Sequence, residues 1–251
     1  MHMHMCEPCA CAWRMPEGGV TLVYTQSKFA GHWMAASCRL AGLLLHTAAV
    51  AAFRGAKGAK EFAKVELPNA KCLDGSPAVY YIAANSSSPA WVVWLEGGGI
   101  CFNLSDCAQR AKGRLGSSSS YNASIDAPKG MLSSDPAANP DLYTWNRVFV
   151  PYCSGDVWMG TKRAAVNPFP QEGAWRGYFH GHYILEDMYE DISDRHVMSS
   201  PPTHAVLTGC SAGGMGVIFN CDWFAPAVLL ARFQPSPSPS PSSSPSPSPS
   251  P

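Results

Sequence analysis

The nine residues VLTGCSAGG, Val206 to Gly214, decide how this chain is read. An apolar run enters a Gly-x-Ser-x-Gly pattern with Ser211 at its centre. A buried strand that turns at once into a helix needs small residues on both sides of the turn, because the two backbones come into contact there. Such a turn lifts the serine hydroxyl clear of the sheet and sets it at a helix N-terminus. The backbone N–H of Ala212 then faces any negative charge that develops on a reacting group. The expectation is a nucleophile elbow. The alternative is a glycine-rich strand–helix turn that packs tightly and carries no chemistry.

The stretches upstream supply the rest of the frame. WLEGGGICFN, Trp94 to Asn103, is a strand that ends in consecutive glycines. Backbone N–H groups there are unshielded by side chains, which makes Gly98 and Gly99 candidate oxyanion donors. Neither G-x-G-x-x-G spacing nor a P-loop lysine accompanies them, so nucleotide binding is not indicated. AVYYIA (Ala78–Ala83), WVVWLE (Trp91–Glu96), RVFVP (Arg147–Pro151) and HAVLTG (His204–Gly209) read as buried strands bounded by Gly and Pro. Between the last two, Ile184, Leu185, Met188, Tyr189 and Ile192 share one helical face, with Glu186, Asp187, Glu190 and Asp191 expected to point elsewhere. Strand–helix–strand order predicts an α/β fold with a mostly parallel sheet and flanking helices over residues 61–232. Gly116 to Asn139 is Ser-, Gly- and Pro-rich and reads as loop.

Apolar residues make up 46% of the 251 and charged ones 14%, enough to bury a core. Eighteen basic and eighteen acidic residues balance, so nothing points to nucleic acid or to a polybasic membrane anchor, and no apolar run has transmembrane length. Ten cysteines and the Asn-x-Ser sequons at Asn85, Asn103 and Asn122 favour an oxidising, secretory route. From Met34 the chain has the layout of a signal peptide. Arg39 is its basic residue, Leu40 to Val50 its apolar stretch, and Ala49-Val50-Ala51 its small-residue cleavage site. Residues 34–51 are therefore expected to be a signal peptide, and residues 1–33 an unstructured or untranslated extension. His2, His4, Cys6, Cys9 and Cys11 are too cramped for a metal site without a second ligand pair, and no metal is expected. The Pro-Ser run 235–251 buries nothing and is expected to be a disordered, extended tail.

Together, CLDGSPAVYY, WVVWLEGGGICFNLSDC, RLGSS, GMLSSDPAANPDLYTWNRVFVPYCSGDVWMG, WRGYFHGHYILEDM and LTGCSAGGMGVIFNCD resemble the pectin acetylesterase family, which also contains the Notum-type lipid-ester hydrolases. The likeness runs in order from about Cys72 to Asp222. It implies an α/β-hydrolase-like fold with a Ser–Asp–His triad, represented here by its N-terminal half. Ser211 is then the nucleophile, with Ala212, Gly98 and Gly99 around the oxyanion. Notum-type enzymes carry an aromatic residue in the glycine loop where this chain has Gly99. The resemblance also implies disulfides Cys72–Cys153 and Cys101–Cys107. Cys210 and Cys221 lie eleven positions apart along the elbow and its helix, roughly 16 Å at helical rise, so they are not expected to pair with each other. Cys210 reads as a buried thiol, and Cys221 as one awaiting a partner absent from this chain.

In this fold class the acid and the histidine follow the serine along the chain. After Ser211 stands one carboxylate, Asp222, and no histidine. His180, His182, His196 and His204 precede it and read as surface or packing residues. A serine without a base is a weak nucleophile, so little activity is expected from these residues alone. The function expected is removal of O-acetyl groups from pectin or a related cell-wall polysaccharide outside the cell, without metal or cofactor. The alternatives are a non-catalytic secreted glycan-binding or wall-associated protein and a Notum-like lipid-ester hydrolase.

Overall fold

A computed structural model describes residues 9–11, 62–195, 202 and 204–230. The candidate signal peptide at 34–51 and the Pro-Ser tail at 235–251 lie outside the described residues. So does His196, and so does all of 1–33 except Cys9–Cys11. The strands are β1 (Cys9–Cys11), β2 (Phe62–Lys71), β3 (Pro77–Ala83), β4 (Ala90–Leu95), β5 (Ser124–Ile125), β6 (Asn146–Val150) and β7 (His204–Gly209). The helices are α1 (Leu104–Arg110), α2 (Gly181–Arg195) and α3 (Ala212–Leu230).

The strands form one sheet in the order β1-β7-β4-β6-β3-β2-β5. Its parallel character is confined to the three central strands, β7, β4 and β6. The flanking pairs are antiparallel, so the sheet is mixed rather than mostly parallel. The physical reason is connection length. β2 and β3 are separated by five residues, enough for a hairpin but too few for the crossover that a parallel pair needs.

The central strands are mostly apolar because both faces of the sheet are covered, and the buried polar residues they carry, Asn146 and Arg147 of β6 and Thr208 of β7, are hydrogen-bonded. Trp91, Val93 and Leu95 of β4 point to one side, with Tyr80, Ile82, Val148, Val150, Ala205 and Leu207. Ile184, Leu185, Met188 and Ile192 of α2 and Val217 and Phe224 of α3 close over that side. Val92 and Val206 point to the other side, where Leu132, Leu142 and Trp145 of the long 121–145 segment lie over them. That segment is mostly loop, as its composition predicts, with β5 and a single 3-10 turn at Gly130–Leu132.

Two of the acids on α2 do not point away from the core. Asp187 is buried and accepts hydrogen bonds from the backbone N–H of Asn69 (2.9 Å) and Ala70 (2.8 Å) and from Asn69 Nδ2 (3.0 Å). Asp191 is buried and accepts from the Tyr80 hydroxyl at 2.7 Å. The cause lies in β2, whose register with β3 shifts between Glu66 and Lys71, a stretch that contains Pro68. The amides released there find a helix carboxylate instead of a neighbouring strand.

Candidate active site

The register of the parallel strands builds the site. Leu95 lies opposite Gly209 and opposite Val150, so three strands end together at one edge. α2 carries the chain from β6 across to β7, on the far side of β4. The crevice beyond the carboxyl end of β4 is therefore a switch point, where open α/β sheets place their ligands.

Ser211 stands in this crevice, solvent-exposed, with φ of 58°. A left-handed backbone at a residue with a Cβ is held only when its surroundings over-determine it. Here Gly213 N donates to Cys210 O at 2.9 Å, and Met215 N donates to Ser211 O at 3.0 Å, which starts α3. Gly213 lies directly on the end of β4. A Cβ there would overlap the Leu95 carbonyl oxygen and come within 2.7 Å of the Leu95 carbonyl carbon. Gly97 meets the elbow from the other side, where a Cβ would overlap Cys210 O and stand 3.0 Å from Ser211 Cβ. The glycine loop and the serine turn are thus in backbone contact.

Among the described residues, the N–H groups of Gly98, Gly99 and Ala212 donate to no protein acceptor. Ser211 Oγ likewise has no hydrogen-bond partner among them. The loop's carbonyls and side chains, by contrast, are firmly tied. Glu96 O accepts from the Trp158 indole N–H at 3.2 Å. The Glu96 carboxylate receives Arg114 at 2.9 and 3.1 Å and the Tyr152 N–H at 3.0 Å. Gly98 O accepts from Arg110 Nη1 at 2.7 Å. The Arg114–Glu96 pair is half-exposed and adds well under about 1 kcal/mol of stability, so its effect here is positional.

Trp158 and Tyr152 form the wall behind the loop, fully buried, with ring centroids 5.3 Å apart. Val157 and Trp158 have φ of 51° and 67°. They are held by Asp156, which is buried and accepts from Ser154 Oγ (2.5 Å) and from the N–H groups of Trp158 (3.1 Å), Gly160 (3.1 Å) and Gly181 (2.8 Å). Burial pushes the Asp156 carboxyl above the usual carboxylate range, and these four donors oppose the shift. Asn220 Nδ2 on α3 donates to Trp158 O at 3.0 Å, tying the wall to the helix that follows Ser211. Sequence reading named none of these supporting residues. The signal present was a set of charged and aromatic residues packed closely around glycines.

The described histidines do not reach Ser211. His180 is buried, accepts from Lys71 N at 3.1 Å through Nδ1, and lies 3.1 Å from Arg163 O through Nε2. Burial holds its imidazole below the ordinary value. His182 Nδ1 bonds Asn220 Oδ1 at 2.7 Å. His204 opens β7, at the end of the strand opposite the elbow, and stacks at an angle on Trp145. Among the described residues no group of three or more His, Cys, Asp or Glu is placed to hold a metal ion.

Cys72 is bonded to Cys153, 81 positions on, and Cys101 to Cys107, six positions on. Cys210 and Cys221 are also disulfide-bonded, so Cys210 is not a free thiol and the partner of Cys221 is not absent from this chain. The elbow leaves Cys210 half-exposed rather than buried, which opens it to a partner. Of the sequon asparagines, Asn103 and Asn122 are exposed. Asn103 uses only Oδ1, accepting from Asp106 N at 2.8 Å to cap α1. Asn85 is half-buried, and its Nδ2 donates to Thr144 O at 2.6 Å.

A strand that ends in glycines beside a serine elbow, on a mixed sheet flanked by helices, defines an α/β-hydrolase-like protein. The Wnt deacylase Notum from Drosophila has the same fold. The two superpose with a TM-score of 0.60 at 31% identity, over 68% of this chain and 49% of that one. The family model described as Pectinacetylesterase matches residues 58–231, and the chain belongs to that family. It is 38% identical over 163 residues to pectin acetylesterase 4 of Arabidopsis thaliana, covering 64% of this chain and 38% of that protein. It is 36% identical over 160 residues to palmitoleoyl-protein carboxylesterase notum1a of Danio rerio, covering 63% of this chain and 30% of that protein. The chain thus spans between about a third and a half of the relatives it matches.

Proposed function

We propose that this chain carries the nucleophile and oxyanion-binding part of a serine carboxylic ester hydrolase that removes O-acetyl groups from pectin or a related cell-wall polysaccharide. One observation carries the reading. Ser211 is exposed on a left-handed turn, in backbone contact with a glycine loop whose N–H groups have no protein acceptor among the described residues. In the reaction the Ser211 oxygen attacks the acetyl carbonyl carbon, and its proton passes to a base. The carbonyl oxygen becomes an oxyanion that accepts from Ala212, Gly98 and Gly99. Collapse breaks the bond to the sugar oxygen, which takes the proton and leaves. Water then repeats the sequence on the acetyl-serine and frees acetate. No metal or cofactor enters this scheme.

The described residues place no base beside Ser211, so the test supplies one from solution. The disulfides favour action outside the cell, in keeping with an extracellular or wall substrate. A longer acyl group is the second reading. It rests on Met215, Ile218 and Phe219, which lie about half-exposed on α3 just beyond the nucleophile. The test is acylation of Ser211 by p-nitrophenyl acetate and p-nitrophenyl octanoate with imidazole in the buffer, read by intact mass, alongside acetate release from acetylated pectin. Faster acylation by the acetate ester, abolished by Ser211→Ala, supports the proposal. Preference for octanoate moves it to lipid esters. No acylation by either ester leaves a glycan-binding module and refutes the hydrolase reading.

A further inference from the structure

We infer that Arg110 is a positioning residue that sets the orientation of the Gly98–Gly99 peptide and so aims the Gly99 N–H into the oxyanion site. The inference rests on the hydrolase reading above. A trans peptide unit is planar, with its C=O and N–H on opposite sides. The carbonyl of this unit belongs to Gly98 and accepts from Arg110 Nη1 at 2.7 Å. Drawing that oxygen toward Arg110 turns the Gly99 N–H to the opposite side, and that N–H has no acceptor among the described residues.

This peptide needs such a restraint. It lies between two glycines, so its plane rotates through ψ of Gly98 and φ of Gly99 with little steric resistance. Gly99 sits at φ of 73°. A Cβ on Gly98 would overlap Tyr152 and Leu115, so packing confines that end of the peptide, whereas a Cβ on Gly99 would meet nothing within 4 Å except Arg110 Nη2 at 3.7 Å, so at the Gly99 end the guanidinium is the neighbour that can hold it. The guanidinium, by contrast, is anchored. Its Nε is buried, and its Cδ packs against Gly155, 3.3 Å from where a Cβ there would be. It projects from α1, which is joined to the loop by the Cys101–Cys107 bond and capped by Asn103. The bond to Gly98 O is charge-assisted, and a cation at the carbonyl oxygen polarises the peptide so that its N–H is a stronger donor. Orientation and polarisation therefore act in the same direction.

The test is the rate of Ser211 acylation by p-nitrophenyl acetate, with imidazole as base, in wild type, Arg110→Met, Arg110→Lys and Arg110→Ala with and without guanidinium chloride. Losing one oxyanion donor costs about 10²–10³-fold, so Arg110→Met is expected to slow acylation at saturating ester by about ten- to a hundredfold, with half-saturation within about twofold. Arg110→Lys, which still carries a cation for the same carbonyl, recovers part of the loss. Guanidinium in solution recovers part of it in Arg110→Ala. A merely structural role predicts neither recovery. In glycine-labelled protein, the Gly99 amide resonance should shift in Arg110→Met and return toward wild type in Arg110→Lys. Arg110→Met acylating within about threefold of wild type overturns the inference, and so does a loss that neither lysine nor guanidinium repairs. Should Arg110→Met not fold, the Arg110→Lys rate and the guanidinium arm decide alone. Wild-type Ser211 that is not acylated removes the hydrolase reading itself, and the inference falls with it.

Discussion

Gly213→Ala tests the backbone contact on which the site depends. The new Cβ would overlap the Leu95 carbonyl oxygen and lie 2.7 Å from the Leu95 carbonyl carbon and 3.0 Å from that of Glu96. Carbon atoms pack best at about 3.5–4.0 Å, so α3 must withdraw from the end of β4 by about 1 Å. The obstruction is the backbone of a central strand paired on both sides, which has no rotamer with which to yield. Overpacking of this kind costs about 1–3 kcal/mol, and the upper end applies here. Alanine in place of glycine returns about 1 kcal/mol of helix propensity, leaving a net loss of about 2 kcal/mol. For a domain of this size that lowers Tm by roughly 4–8 °C. Ser211 is two residues away, and a misplacement of about 1 Å costs on the order of 10²-fold in rate. The assay pairs a circular-dichroism melt with Ser211 acylation by p-nitrophenyl acetate. Gly130→Ala is the control, since its Cβ would meet nothing within 4 Å and add only the strain of φ at 75°. A Gly213→Ala protein with wild-type Tm and acylation within about twofold would show that the helix does not rest on β4, and the reasoning fails.

Three further outcomes follow from the fold. Asp187→Ala strands the Asn69 and Ala70 amides beneath α2 and is expected to cost about 3 kcal/mol, read as a lower urea midpoint at unchanged m-value; a change below about 0.5 kcal/mol contradicts the assigned bonds. His180 is held neutral by burial, with its folded pKa below the unfolded value of about 6.5. Its stabilising contribution is therefore complete above about pH 6.5 and declines as pH falls toward the folded value, so unfolding free energy should drop on acidification more steeply in wild type than in His180→Phe; equal slopes refute this. Glycan attachment in a secretory host should be found by peptide mass spectrometry at Asn103 and Asn122 and not at Asn85, whose amide nitrogen is committed to Thr144 O; an occupied Asn85 would show that this bond forms too late or too weakly to matter.

Much of the central architecture was legible because it is written in local pattern. Four largely apolar runs became β3, β4, β6 and β7, since a strand covered on both faces is apolar at most of its positions. The period of Ile184, Leu185, Met188 and Ile192 identified the buried face of α2. β2 was not legible. Lys64, Glu66, Pro68 and Lys71 break its pattern, and it is a strand because β3 and Asp187 satisfy its amides. Asp187 and Asp191 looked like solvent-facing acids by spacing alone, and their partners lie more than a hundred positions away.

The sequence by itself determined where a tight serine turn and a glycine loop stand, because a tight strand–helix turn admits few residues and those residues are its signature. Only the tertiary structure decided that the two meet, through the parallel register that sets Leu95 against Gly209, and that Arg110, Arg114, Trp158 and Asp156 hold the loop in place. The physical reason is range. Turn chemistry and burial period act over a few residues and are visible along the chain, whereas a guanidinium on a carbonyl or an indole behind a glycine depends on which distant segments the sheet brings together.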